Sequence, residues 1–93
     1  MANTKHDNAV RRKINSLRRQ GYGRIEAAVP GLESPDPIGE HSRTPDIVAT
    51  KPGSTKLVEL EPEGKVEQHK EQHATFRRHA AQKPRTTFEI EEF

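Results

Sequence analysis

Residues 44–61, TPDIVATKPGSTKLVELE, leave this chain few ways to fold. Two β-prone runs, residues 44–49 and 55–61, flank Lys51-Pro52-Gly53-Ser54, and a Pro-Gly pair between such runs reverses the chain into a hairpin. Side chains alternate across a strand, so Val58 and Leu60 share one face while Leu57, Glu59 and Glu61 share the other. The hairpin therefore gathers three carboxylates, Asp46, Glu59 and Glu61, at one end of a small sheet.

Two carboxylates about 5 Å apart repel by roughly 3 kcal/mol at an effective dielectric of about 20. Such a cluster persists when water, a proton or a metal ion offsets it, and a divalent cation is the most productive of these. The same acids also suit an exposed, charged hairpin edge, and Asp46 after Pro45 also suits a turn.

The rest of the chain supplies what a small sheet needs. Residues 3–20 place Val10, Ile14 and Leu17 at helical spacing before Gly21, which predicts an amphipathic helix with Arg11, Arg12, Arg18 and Arg19 off the apolar stripe. Residues 24–29, RIEAAV, alternate as a short half-buried strand. Residues 30–43 hold three prolines and two glycines and form a loop long enough to suggest a functional role. Pro62 and Gly64 end the third strand, and residues 65–82 predict a second helix with Val66, Phe76 and Ala80 inward and His69 and His73 on the same side. Residues 85–93, RTTFEIEEF, predict a last strand burying Phe88 and Ile90. The expected fold is α/β, α-β-β-β-α-β, a mixed four-stranded sheet flanked by helices.

With 93 residues, 29% hydrophobic and 4% aromatic, the chain is sized for a single domain over residues 1–93 with a thin core that a homodimer would relieve. It has no cysteine, which excludes disulfides and thiolate metal sites. The N-terminus lacks the apolar run of a signal peptide, and no segment approaches the roughly 20 apolar residues of a membrane span. A soluble, cytoplasmic protein is expected. The charge is unevenly spread: residues 1–24 carry seven Lys or Arg against one acid, and residues 25–64 carry three against eight. A basic region beside an acidic pocket suits a polyanion held by one surface and acted on at another; it is also what a highly charged solvated surface looks like.

Taken together, the first helix ending in Gly21-Tyr22, Pro45-Asp46-Ile47-Val48-Ala49, Glu59-Leu60-Glu61 and the helix carrying Gln72 resemble the PD-(D/E)xK nuclease superfamily. Within it, the likeness is to small archaeal Holliday-junction resolvases. The resemblance implies a minimal restriction-endonuclease-like core, with Asp46, Glu59 and the Leu60 carbonyl as ligands to Mg²⁺ or Mn²⁺ and with Asp46, Glu59 and Glu61 as the catalytic set. It also implies hydrolysis of DNA phosphodiester bonds, on branched or structured DNA, by a homodimer. Glu61 stands where the family most often has lysine, and Lys56 and Lys65 flank the strand as candidates to supply that charge. Asp7 or Glu26 would supply a further acid, although Asp7 also suits a helix first turn and a pairing with Arg11.

Gln72, His69 and His73 would border the site. The two histidines, one turn apart, also have the spacing of imidazole ligands to zinc, and packing or surface roles fit them as well. The exposed arginines of the first helix, with Arg77 and Arg78 of the second, are the expected phosphate contacts. Two other readings fit the same residues: a catalytically inactive nucleic-acid-binding protein of this fold, and a protein-interaction module whose acidic edge meets a basic partner.

Overall fold

The computed structural model describes residues 4–39 and 41–93. Its elements follow in the order α1 (Thr4–Arg19), β1 (Arg24–Ala27), β2 (Ile47–Lys51), β3 (Ser54–Glu61), a 3₁₀ turn (Val66–His69), α2 (Lys70–Gln82) and β4 (Thr86–Glu92). The strands form one sheet in the order β1-β2-β3-β4. β1 and β2 run antiparallel, as do β2 and β3, while β3 and β4 are parallel and joined through α2. This is the expected α/β layout, a mixed four-stranded sheet with two helices. No helix among the described residues is long and apolar enough to cross a membrane.

The scarce apolar residues are divided between two cores, one on each face of the sheet. On one face, α1 buries Ala9, Val10, Ile14 and Leu17 against Ile47, Ala49, Val58 and Leu60, with Tyr22, Ala27 and Val29 completing the cluster. On the other, Phe76 and Ala80 of α2 meet Leu57 and Ile38, with Val48 and Phe88 packed against them. The alternation read from residues 55–61 is thus realised, with the Val58/Leu60 face under α1. Since both faces of β3 are covered, residues 57 to 61 are all buried. A strand so placed ordinarily reads as a continuous apolar run, and Glu59 and Glu61 interrupt it.

Three boundaries and one burial differ from expectation. β2 starts at Ile47, so Asp46 precedes the strand instead of lying on it. The reason is local: the Asp46 N–H donates to Glu59 Oε1 (3.2 Å) and the Leu60 N–H to Asp46 Oδ2 (2.9 Å), so side chains replace the backbone ladder beyond the Ile47–Val58 pair. β1 ends at Ala27, after which the chain turns through Val29. The second helix divides into the 3₁₀ turn and α2, with Val66 only half-buried. Phe88 and Ile90 are half-buried because β4 is an edge strand.

The hairpin turn is as read from Pro52-Gly53, with Gly53 at φ 77°. In the long loop, Ile38 and Arg43 pair as an isolated bridge, and Gly39 lies so close to α2 that a Cβ there would meet Thr75 Cγ2 at 2.7 Å.

Candidate metal centre

Asp46, Glu59, Leu60 and Glu61 meet at the C-terminal end of β3, where the N-terminal turns of α1 and α2 also arrive. Together with His6, Pro62, His69 and Gln72 they line an open cleft of about 300 Å³. Asp46 and Glu59 are tied to each other's strand by the two side-chain to backbone hydrogen bonds above, which hold both carboxylates in place without neutralising either. Glu59 is 3% exposed and Glu61 4%. Burial pushes the Glu59 carboxyl up to about 9, and the charges of Asp46 and then Glu61 push the same way. At neutral pH Glu59 therefore keeps its proton, one of the offsets that a carboxylate cluster requires.

Glu61 is held differently. His69 Nδ1 lies 2.8 Å from Glu61 Oε2, and His73 Nε2 lies 3.1 Å from Glu61 Oε1. His73 is 2% exposed, whereas the His69 side chain is 50% exposed. The two rings stand edge to face with centroids 6.3 Å apart. Glu59, Glu61 and His73 each offer a donor atom, and these atoms lie within 4.8 Å of one another, a grouping that could hold a metal ion.

The structure brings most of the expected residues together and sends others elsewhere. Gln72 borders the cleft, as do His69 and Leu60. Asp7 reaches the cluster only through its neighbour: its Oδ1 is 4.0 Å from His6 Nδ1, and His6 Nε2 is 3.2 Å from Asp46 Oδ2. Arg11, the suggested partner of Asp7, instead donates to the Pro30 carbonyl at 3.4 Å. Glu26 does not join the acids; it lies 3.7 Å from Arg24 and lines a separate cleft with Val48 and Leu57.

Lys56 points to the opposite face of β3, where it pairs with Glu89 (3.3 Å) and approaches the Tyr22 ring. Lys65 is exposed and outside the cleft. Among the described residues, no Lys or Arg lines the acid cleft. The imidazoles of His6, beside Asp46, and of His69 and His73, beside Glu61, are the basic side chains next to the acids.

His6 was not among the residues singled out by motif reading. Its only sequence signal is its place in the first turn of an amphipathic helix beside Asp7. In the larger cleft of about 520 Å³ between α2 and the long loop, Glu71 is the one acid among the described residues on its wall. The carboxylate cluster lies in the smaller cleft. No family model, curated protein or solved structure matches the chain.

Proposed function

We propose that the protein is a divalent-metal-dependent endonuclease that hydrolyses phosphodiester bonds in DNA. The observation that carries this reading is the pair of half-buried Asp46 and buried Glu59, each hydrogen-bonded to the backbone of the opposite segment, in a cleft that also holds Glu61. The donor set fits a hard divalent cation: Asp46 and Glu59 would hold Mg²⁺ or Mn²⁺, with the Leu60 carbonyl completing the protein's share. When bound, such an ion polarises a phosphoryl oxygen and lowers the pKa of an attached water.

The chain's own residues do the rest. Asp46 and Glu59 are preorganised by the Leu60 and Asp46 amides, so neither carboxylate has to be reoriented when it binds. Glu61 accepts hydrogen bonds from the imidazole side and presents its carboxylate to the cleft. His69, half-exposed and 2.8 Å from Glu61, can pass a proton between that buried carboxylate and solvent. In its protonated form His69 would supply the positive charge that a lysine provides in the superfamily the sequence resembles.

Purified protein is expected to cut duplex, single-stranded or four-way DNA with Mg²⁺ or Mn²⁺. Asp46→Ala or Glu59→Ala should reduce the rate by at least about a hundredfold while leaving the circular dichroism spectrum unchanged. Absence of cleavage of all three substrates with either metal would remove the enzymatic reading.

One observation favours a second reading: among the described residues no lysine or arginine lines the cleft, which fits a nucleic-acid-binding protein without turnover. In that case, binding survives Asp46→Ala and weakens steeply with salt.

A further inference from the structure

The third carboxylate and the buried histidine contribute more than the first metal position needs. We propose that Glu59, Glu61 and His73 form a second metal position beside the Asp46/Glu59 one, selective for a borderline first-row transition ion such as Mn²⁺ or Zn²⁺ over Mg²⁺, with Glu59 bridging the two. The proposal builds on the metal-dependent reading above and adds to it a second ion, its ligands and its selectivity.

The spacing of the donor atoms accommodates an ion. Two donors at right angles on a cation with bonds of about 2.2 Å stand about 3.1 Å apart. Glu61 Oε1 and His73 Nε2 are separated by 3.1 Å. Glu59 supplies the third donor atom within the same 4.8 Å span.

All three side chains are at least nine-tenths buried and are fixed by different elements, Glu59 and Glu61 by β3 and His73 by the first turns of α2. An ion at this position would meet little rearrangement.

The outer partner is also in place. His69 Nδ1 contacts the other oxygen of Glu61 at 2.8 Å and holds the carboxylate plane. Ligating carboxylates characteristically have such a hydrogen-bonded neighbour.

The donor chemistry sets the selectivity. An imidazole nitrogen suits Mn²⁺, Co²⁺ and Zn²⁺, whereas Mg²⁺ strongly prefers oxygen ligands and retains its waters. At the Asp46/Glu59 position the proposed ligands are oxygens, and His6, with Nε2 3.2 Å from Asp46 Oδ2, stands as the hydrogen-bonding neighbour of that carboxylate. Glu59 lies in both sets, as a carboxylate bridging ions about 4 Å apart would. Glu61, in the place where lysine is usual, thereby replaces a fixed positive charge with a ligand for a mobile one.

The test is metal binding by the full chain, read without any nucleic acid. After treatment with a chelator, the protein is titrated with Mn²⁺, Zn²⁺ and Mg²⁺ by calorimetry, and bound metal is counted after gel filtration. The expected result is two Mn²⁺ per chain and a Zn²⁺ site at least a hundredfold tighter than any Mg²⁺ site. His73→Gln should lower Mn²⁺ stoichiometry to one and weaken the tight Zn²⁺ site at least tenfold, whereas Asp46→Asn should leave that Zn²⁺ site intact.

Since His73 is buried, the wild-type chain provides a control that needs no variant: Zn²⁺ should shift the His73 Nε2 resonance in a ¹⁵N spectrum of the side chains. One ion per chain, lost on Asp46→Asn and indifferent to His73→Gln, would overturn the second position and leave the nuclease reading standing. Tight Zn²⁺ binding through His73 with no DNA cleavage would do the reverse. An unmoved His73 resonance at saturating Zn²⁺ also overturns the second position.

Discussion

Glu59 carries the most telling single-residue property, a carboxyl whose affinity for its proton is raised to about 9 by burial first and by Asp46 second. A carboxyl raised above its unfolded value makes the folded state bind more protons than the unfolded state between those two values. The stabilising contribution is therefore complete below about 4.5 and is lost as pH rises toward about 9. Metal-free protein should show a falling melting temperature across that interval in scanning calorimetry, and Glu59→Gln should flatten the fall. Divalent metal competes with the same proton, so added Mn²⁺ should raise the melting temperature more at pH 8 than at pH 6. Equal stabilisation at both would count against Glu59 as a ligand.

Glu61 permits a second test at this scale. Glu61→Lys recreates the side chain usual at that position in the superfamily this sequence resembles, but it would bury an ammonium between His69 and His73 in place of their acceptor. The expected cost is about 3 kcal/mol, measured by urea unfolding, with no gain in cleavage.

At the scale of elements, α1 is held by more than its apolar stripe. Lys13, in mid-helix, is 8% exposed and reaches the edge strand β4, where its Nζ lies 2.9 Å from Glu91 and 3.3 Å from Glu89. Burial works against its charge, but the hydrogen bond to Glu91 and the two acidic neighbours outweigh it and hold its pKa above the ordinary lysine value. Lys13→Ala should destabilise the fold by about 1–3 kcal/mol, since it leaves both glutamates without this partner. The contribution is present at neutral pH and disappears only as pH rises beyond the raised lysine value, so the variant and wild type should converge only at strongly alkaline pH. Leu17→Ala, at a side chain that is fully buried, should cost about 2–5 kcal/mol in the same assay.

The elements were also where sequence reading was most successful. Periodicity identified each helix and strand because α1 has a single apolar stripe and the apolar residues of the strands alternate in sequence, even though β3 is covered on both faces. It was weakest at ends. Nothing in the spacing of Val66, His69 and His73 distinguishes a 3₁₀ turn leading into a helix from one continuous helix, although the turn buries none of its residues and leaves His69 half-exposed.

For the molecule as a whole, the helices cover opposite faces of the sheet, so the arginines of α1 and those of α2 do not form one surface. Arg11, Arg12, Arg18 and Arg19 are exposed over α1, and Arg77 and Arg78 over α2. Arg77 lies over the Phe88 ring, whereas Arg78 opens into the large cleft together with Arg43 and His79. Arg43 also lines the neighbouring cleft that reaches His69 and Gln72, residues bordering the acid cluster. A phosphate backbone entering from the α2 side would thus meet Arg78 and Arg43 before the acids.

Under the nuclease proposal, the double variant Arg43→Gln/Arg78→Gln should lower the salt dependence of DNA affinity by about two phosphate contacts, whereas Arg18→Gln/Arg19→Gln should change it little. Fluorescence anisotropy over a salt series measures both, and the opposite ranking would place the nucleic acid on α1.

The amino-acid sequence by itself determined the order of elements, the hairpin, which apolar residues face which side and the grouping of Asp46, Glu59 and Glu61 at one end of β3. These follow from local rules: a period of two in strands, 3.6 in helices and a Pro-Gly reversal. Only the tertiary structure decided what surrounds the acids. His6 meets Asp46 from forty residues away, His69 and His73 clasp Glu61, Asp46 leaves the strand to cap Leu60, Lys56 turns to the other face and Glu26 falls outside. Those outcomes depend on how two helix ends dock on the sheet and on how deeply the carboxylates are buried. Contacts of long sequence separation and the loss of water around a charge leave no period in the chain to read.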